Sequence, residues 1–447
     1  MSALLISLSV ILFALVAGVA VKKQNLIQAT PSLVWFSLIT LPFIYQFQFF
    51  NNSPRTSQSF GSFMIATALA AGDILAIRRK GAGSALEKSY FSHSITLYFL
   101  TFLVIFIPIL HYWLAGTIPI VDQYFGGASP AKVSEDRENF DKLLDVPYLL
   151  KVLFNWVSAI FGPISVLWFY FMKRKFVSAL LLIWVAFYSL SSSADGPIVI
   201  FCWALVFAAG FVMSNRLNIS NCLTLGISAA LLVVIASGIW LGETAIVRES
   251  ECGVMATQGF TPGDVMRSCS ADKEIIINPI VNRLGYRVFL TPVEVANHWY
   301  DYFDGSPSEK RELIDVFPRE NSKQASNKVG VWAYTERFPQ AYGRTISANG
   351  SIDADAYSFA GNFSIFIVAL ILFLLRAFLS ILLPSDPPLI RILMGIGLGQ
   401  LAFLPNSAPL QAILLPQGLG IILFLIVFIR GKKQFALFSQ SFAFNRR

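Results

Sequence analysis

Residues 351–380 read SIDADAYSFAGNFSIFIVALILFLLRAFLS. The stretch turns from polar to apolar at Phe359 and then stays apolar long enough to cross a bilayer, which takes about 20 residues of helix. Upstream of the switch lies a polar segment of roughly 115 residues, Glu243 to Ser358, with most of the acids and about a third of the basic residues. Beyond it in both directions the sequence is a succession of apolar runs. One large polar insert in an otherwise membrane-like chain is where chemistry is expected.

The whole composition agrees. Of 447 residues, 55% are hydrophobic and only 13% charged, and the mean hydropathy is +0.63. That describes an integral membrane protein and not a large soluble domain. A net charge of +8 raises nucleic acid as a partner. The basic residues, however, sit in short clusters between apolar runs, as topology signals do, so nucleic-acid binding is set aside. The first run, Ala3–Val21, lacks a basic leader and a small-residue cleavage site, and it reads as a span and not as a removed signal peptide.

Hydropathy predicts about eleven transmembrane helices, near 2–21, 31–50, 60–77, 91–115, 150–172, 176–191, 197–213, 220–241, 359–380, 389–405 and 409–429. Alternate connections carry 17 basic residues, among them Lys22, Arg78, Lys173, Arg376, Arg391 and Arg430, against five (Arg55, Lys132, Arg137, Lys142 and Lys151) on the opposite short loops. The alternation keeps its phase throughout, which puts the N-terminus outside and the C-terminus in the cytoplasm. The expected organisation is spans one to eight over 1–242 with an external loop 116–149, a large external (periplasmic) loop 243–358, spans nine to eleven over 359–429, and a basic cytoplasmic tail 430–447. Cys252 and Cys269 both lie in the large loop, where an oxidising compartment permits a disulfide; free thiols fit the sequence equally. No CxxC or Cys/His spacing suited to zinc occurs, and neither a metal nor a cofactor is expected.

Capping signals divide the large loop. Asn278-Pro279, Thr291-Pro292-Val293-Glu294 and Ser306-Pro307-Ser308-Glu309 predict short helices at 279–290, 292–304 and 307–317. The stretch 319–350, rich in Asn, Ser, Gly and Tyr, reads as an irregular binding loop. Arg283 and Arg287 fall on one helix face, where two guanidinium forks can hold a diphosphate, although a solvated face fits the same spacing. Glu294 and His298 are likewise four apart, so a carboxylate orienting an imidazole makes a candidate general base; a surface pair is the plainer alternative. Asp195, in the tight turn between spans six and seven, is a candidate acid or base, or a solvated turn residue. Asp353-Ala354-Asp355 offers two carboxylates at the membrane surface, but as a metal clamp the triplet is a common pattern. In the loop 116–149, Gly116-Thr117-Ile118-Pro119-Ile120 leads to a charged segment containing Arg137, which either reaches a phosphate or pairs with Glu138 or Asp141.

Taken together, the Gly-Thr-Ile-Pro-Ile start of that loop, Arg137 downstream, and the large loop between eight spans and three give a chain that resembles the Wzy-type O-antigen polymerases of bacterial inner membranes. Some members carry an arginine and a glycine with ten residues between them, and Arg248 with Gly259 and Arg319 with Gly330 match. The resemblance implies a GT-C-like fold and a metal-independent, inverting transfer of glycan from undecaprenyl pyrophosphate at the periplasmic face. Donor and acceptor would both be lipid-linked oligosaccharides, with a Wzz-type chain-length regulator as a further partner beside the membrane lipids. It assigns pyrophosphate or glycan binding to Arg137, Arg248, Arg283, Arg287, Arg319 and Arg344, and proton transfer to His298, Glu294 or Asp195. Developing charge on a pyrophosphate leaving group calls for cations, which the loop has. An O-antigen ligase shares the topology and the donor. A lipid-linked oligosaccharide flippase is the other class, against which stand spans that read as nearly charge-free and halves of unequal loop size.

Overall fold

A computed structural model of the chain describes residues 2–22, 26–44, 56–78, 95–126, 132, 136, 139–140, 146–192, 195–213, 291–311, 324–334, 350–381, 386, 388–402, 404, 414 and 417–444. Every regular element among them is helical. Five helices are long and apolar enough to cross a membrane: Leu4–Lys22, Thr56–Ile77, Leu97–Ala115, Tyr148–Phe171 and Asn362–Leu379. Five shorter apolar helices, Gln28–Ile44, Lys175–Leu190, Pro197–Val212, Pro388–Ala402 and Leu419–Gly431, fall on further expected runs. The run 220–241 and the predicted helix 279–290 lie outside the described residues. Large apolar side chains such as Leu4, Ile11, Phe102, Ile183, Phe366 and Phe424 are exposed, while Ser, Gln, Asp and Arg side chains are buried. That inversion of the soluble pattern, with backbone groups satisfied inside helices, is what a lipid solvent selects, and it marks a multi-pass membrane protein.

The chain divides into two compact units. The first comprises Met1–Tyr90, Phe207–Leu217 and Arg287–Arg447. Its centre is α3 (Thr56–Arg78), which packs against α1 (Ser2–Lys22), against α2 (Leu26–Trp35, continued by a π-helical turn over Phe36–Thr40) and against a later span. Val16, Ala20, Ala29, Ala70 and Ile77 form a buried cluster in which small side chains let the helices approach closely. At Gly72 a Cβ would stand 2.5 Å from Cγ of Arg376, so only glycine leaves room for that arginine's stem.

The second unit comprises Phe91–Val206 and Asn218–Tyr286. It holds α4 (Ile95–Ala115), the short α5 (Pro119–Tyr124), α6 (Tyr148–Trp156) running through a π-helical turn (Val157–Phe161) into α7 (Gly162–Phe171), and α8 (Lys175–Leu190). Trp184 Nε1 donates to the Val104 carbonyl at 2.9 Å, and Ser178 Oγ to that of Val166 at 2.8 Å, tying α8 to α4 and to α7. Helix α9 (Asp195–Met213) begins in this unit and ends in the first.

Within the first unit the large loop contributes α10 (Thr291–Gly305) and α11 (Gln324–Tyr334), followed by α12 (Ile352–Ala360), α13 (Asn362–Leu379), α14 (Pro388–Ala402) and α15 (Leu419–Phe444). Three expectations need correction. Of the helix expected over 307–317, residues 312–317 lie outside the described residues, and the part described is a 3-10 turn, Pro307–Glu309, with no capping bond from Ser306. Beyond it the Arg311 N–H donates to the Ser358 carbonyl at 2.8 Å instead of continuing a helix. The stretch 319–350, read as irregular, contains α11. The ninth span does not start cleanly at 359: α12 already covers Asp353 and Asp355, and the chain bends at Gly361, whose φ of +64° separates it from α13.

Candidate active site

Helix α10 is amphipathic, and its apolar face, Val293, Ala296, Trp299, Tyr300 and Phe303, is buried. It packs against α12, α11 and the first turns of α3. Contact with α3 is close. A Cβ at Gly61 would lie 2.2 Å from the Tyr300 hydroxyl and 3.2 Å from Asp353 Oδ2, so glycine there lets a loop helix sit directly on a membrane helix. Gln58, one turn earlier on α3, donates to Asn297 Oδ1.

Two buried carboxylates organise the site from α12. Asp353 accepts from the Tyr300 hydroxyl at 3.1 Å and from Ser351 Oγ. Burial pushes its carboxyl above the usual range, against the pull of those hydrogen bonds, and burial with the neighbouring Asp353 charge pushes the Tyr300 phenol well up. Asp355 accepts from Arg311 Nη1 at 2.7 Å, and the same nitrogen reaches Ser358 Oγ at 3.3 Å. The Arg311 guanidinium also lies 4.2 Å from the Phe359 ring centroid. At the rim the Tyr357 hydroxyl donates to Asp304, Lys310 Nζ stands 5.1 Å over the Tyr357 ring, and the Tyr300 and Tyr357 rings are 4.5 Å apart. Lys328 of α11 pairs with Glu309. The result is a floor of buried acids and tyrosines beneath a partly exposed rim of Lys310, Arg311 and Asp304. Such a rim can hold an anionic, hydroxyl-rich ligand by charge-assisted hydrogen bonds.

Of the residues singled out in the sequence, Glu294 and His298 lie on α10, both half-buried, with the His298 ring 6.2 Å edge-on from Trp332 of α11. Asp195 opens α9, and its side chain lies outside the described residues, as do Arg137, Arg248, Arg283, Arg287, Arg319, Arg344, Cys252 and Cys269. The Asp353-Ala354-Asp355 pair splits between different partners. Among the described residues no group of three or more His, Cys, Asp or Glu is close enough to hold a metal ion. Sequence reasoning missed Tyr300, Lys310, Arg311 and Gln58. One signal was present: Asn297, Tyr300 and Asp304 recur at helical spacing on one face of α10.

A second polar cluster lies inside the first unit. Asp73 of α3 and Arg376 of α13 are both completely buried and paired, Nε to Oδ1, at 2.5 Å. Ser32 of α2 donates to Asp73 Oδ2 through its hydroxyl at 2.6 Å and its N–H at 3.0 Å. Arg376 Nη2 donates to the Gln28 carbonyl and to its side-chain Oε1, at 2.7 and 2.8 Å. This corrects the reading of the spans as nearly charge-free: Asp73 and Arg376 both fall inside expected spans, and there they meet. It also moves Arg376 from the loop charges to the interior. Comparison of the chain with protein-family models, with curated proteins and with solved structures found no match.

Proposed function

We propose that the chain is a polymerase of lipid-linked oligosaccharide repeat units, a GT-C-like glycosyltransferase acting at the periplasmic face of a bacterial inner membrane. The observation that carries the reading is the seating of α10 and α12 on α3 through Gly61. It gathers acids, tyrosines and cations at one end of a membrane helix, where a lipid-borne sugar meets the aqueous face. The acceptor hydroxyl attacks the anomeric carbon of the donor glycan. The bond from that carbon to the pyrophosphate oxygen breaks, undecaprenyl pyrophosphate leaves, and the acceptor's proton passes to a base, His298 or Glu294 on α10 or Asp195 elsewhere. Lys310 offsets charge growing on the leaving group, the role that the sequence reading gives to Arg283 and Arg287.

Purified protein in nanodiscs, given a lipid-linked repeat unit, is expected to produce a ladder of products on a carbohydrate gel. Arg283→Ala with Arg287→Ala is expected to abolish it; a persistent ladder removes those two from the site. Transfer to lipid A core without a ladder identifies a ligase instead. The buried Asp73–Arg376 pair favours one second reading, a lipid-linked oligosaccharide flippase, because ionisable groups inside spans often mark transport paths. Movement of the lipid-linked sugar across a proteoliposome bilayer, without any change in its length, is the outcome that selects it.

A further inference from the structure

On α11, Ala325 and Val329 are buried, while Lys328 and Trp332, also four apart, share an exposed face. The Trp332 indole is 49% exposed, and Val331 beside it 46%. Two rings of α10 stand at steep angles to that indole. His298 has its centroid 6.2 Å away at 76°, and Tyr302, one turn further along, lies at 5.7 Å and 68°. Lys328 pairs with Glu309 of the 3-10 turn, and both side chains are exposed. Both charges act on the Tyr302 phenol, which burial and then Glu309 push above its ordinary value while Lys328 pulls it down. An open indole is thus flanked by an imidazole, a phenol, an ammonium and a carboxylate, all within the first unit.

We propose that Trp332 is a stacking platform for the acceptor sugar. A pyranose has a face of C–H bonds that lies flat on an indole, and a rim of hydroxyls that both donate and accept. The groups beside Trp332 match that rim: Lys328 donates, Glu309 accepts, and the Tyr302 hydroxyl does either. The apolar surface that α11 offers is one indole and one valine, too little for a stable protein interface. Charged groups at its edge suit a ligand in water and not lipid tails. A sugar stacked on the indole is brought beside His298, a candidate base for the acceptor's proton. The inference rests on the proposed function, since it assigns the acceptor glycan to this platform, but its first test is a binding measurement that needs no turnover.

The probe is a panel of methyl hexosides and methyl N-acetylhexosaminides, each mixed with the full chain in nanodiscs and followed by saturation-transfer NMR. At least one glycoside is expected to bind the wild-type protein, with transfer strongest at its ring C–H protons. Trp332→Ala is expected to weaken that binding about tenfold, and Trp332→Phe, which keeps a ring, by less. Absence of binding across the panel, or equal affinity in Trp332→Ala, overturns the proposal. Should Trp332→Ala fold poorly, Tyr302→Phe decides, because it removes only a hydroxyl: weaker binding is expected, and unchanged binding overturns the idea. Quenching of the Trp332-dependent emission (wild type less Trp332→Phe) by brominated lipid chains would seat the indole in the bilayer and overturn it too. Glycoside binding that depends on Trp332, without a ladder from the lipid-linked repeat unit, faults the polymerase reading and leaves the platform standing. A ladder made equally well by Trp332→Ala does the reverse.

Discussion

Arg376 has no exposed surface, and its Nε is spent on Asp73, 303 residues earlier in the chain. Its Nη2 goes to Gln28, while Nη1 has no partner among the described residues. A buried pair of this kind is costly to break from one side, because the surviving charge is left without its counter-ion. Arg376→Met is therefore expected to destabilise by about 3–5 kcal/mol. Adding Asp73→Asn to it should recover part of that loss. Unfolding in detergent by single and double variants measures the coupling, and a double variant as weak as the sum of the two singles would mean that the charges do not need each other. Asp353 makes a different prediction. Its folded-state value is raised, so the folded protein holds this proton to higher pH than the unfolded chain does. The stability linked to it is complete below the ordinary carboxylate value of 3.8 and declines as pH rises through the folded value. Asp353→Asn, a mimic of the protonated form, is expected to gain in thermal midpoint relative to wild type between pH 4 and pH 8. A difference that stays constant over that window would show that Asp353 does not titrate as burial dictates.

At the scale of elements, a tight crossing helps join the loop helices to the membrane helix α3. Tyr300 of α10 lies against Gly61 of α3, so a large side chain at position 61 must push α10 and Asp353 away. Gly61→Leu is expected to cost about 1–3 kcal/mol as an overpacking change. It should also expose α10 to limited proteolysis while the spans survive, and protection equal to wild type would sink that account of the docking. Much of this was legible in the sequence and part of it was not, for identifiable reasons. The helix over 292–304 was readable because its proline start and apolar periodicity agree with its buried face. Its neighbour was overextended past Glu309, because the N–H of Arg311 is captured by the Ser358 carbonyl, a long-range event that local capping rules do not see. Helix α11 was missed because Ser326, Asn327 and Gly330 are poor helix formers; its Ala325 and Val329 are buried nonetheless, so packing overrides propensity. The acids of α12 were noticed as a pair. Their division between Tyr300 and Arg311 depends on partners from two other segments, which spacing cannot disclose.

For the whole molecule, apolar run length is the signal that sequence transmits best, since a lipid solvent asks only that a helix be long and apolar. Every run that falls on described residues is a helix there, yet the interior of each unit is chosen by details the average hides. Leu372 and Arg376 lie one turn apart on α13, and both are buried, while Phe366 and Leu370 on the same helix are exposed. Hydropathy scores the apolar ones alike and marks Arg376 as a boundary. Its removal from the count of loop charges leaves 16 basic residues against five, so the charge asymmetry survives the correction. The expected orientation rests on charge and not on packing, and it can be measured apart from any activity. Alkaline phosphatase, which folds only where disulfides form, is expected to be active when fused at Cys269 and inactive when fused after Arg430. Green fluorescent protein at the same two points should give the opposite pattern. Phosphatase activity at the second point, with fluorescence at the first, would invert the chain in the membrane. The loop helices would then face the cytoplasm, where a periplasmic lipid-linked substrate never arrives, and the polymerase reading would fall with the topology.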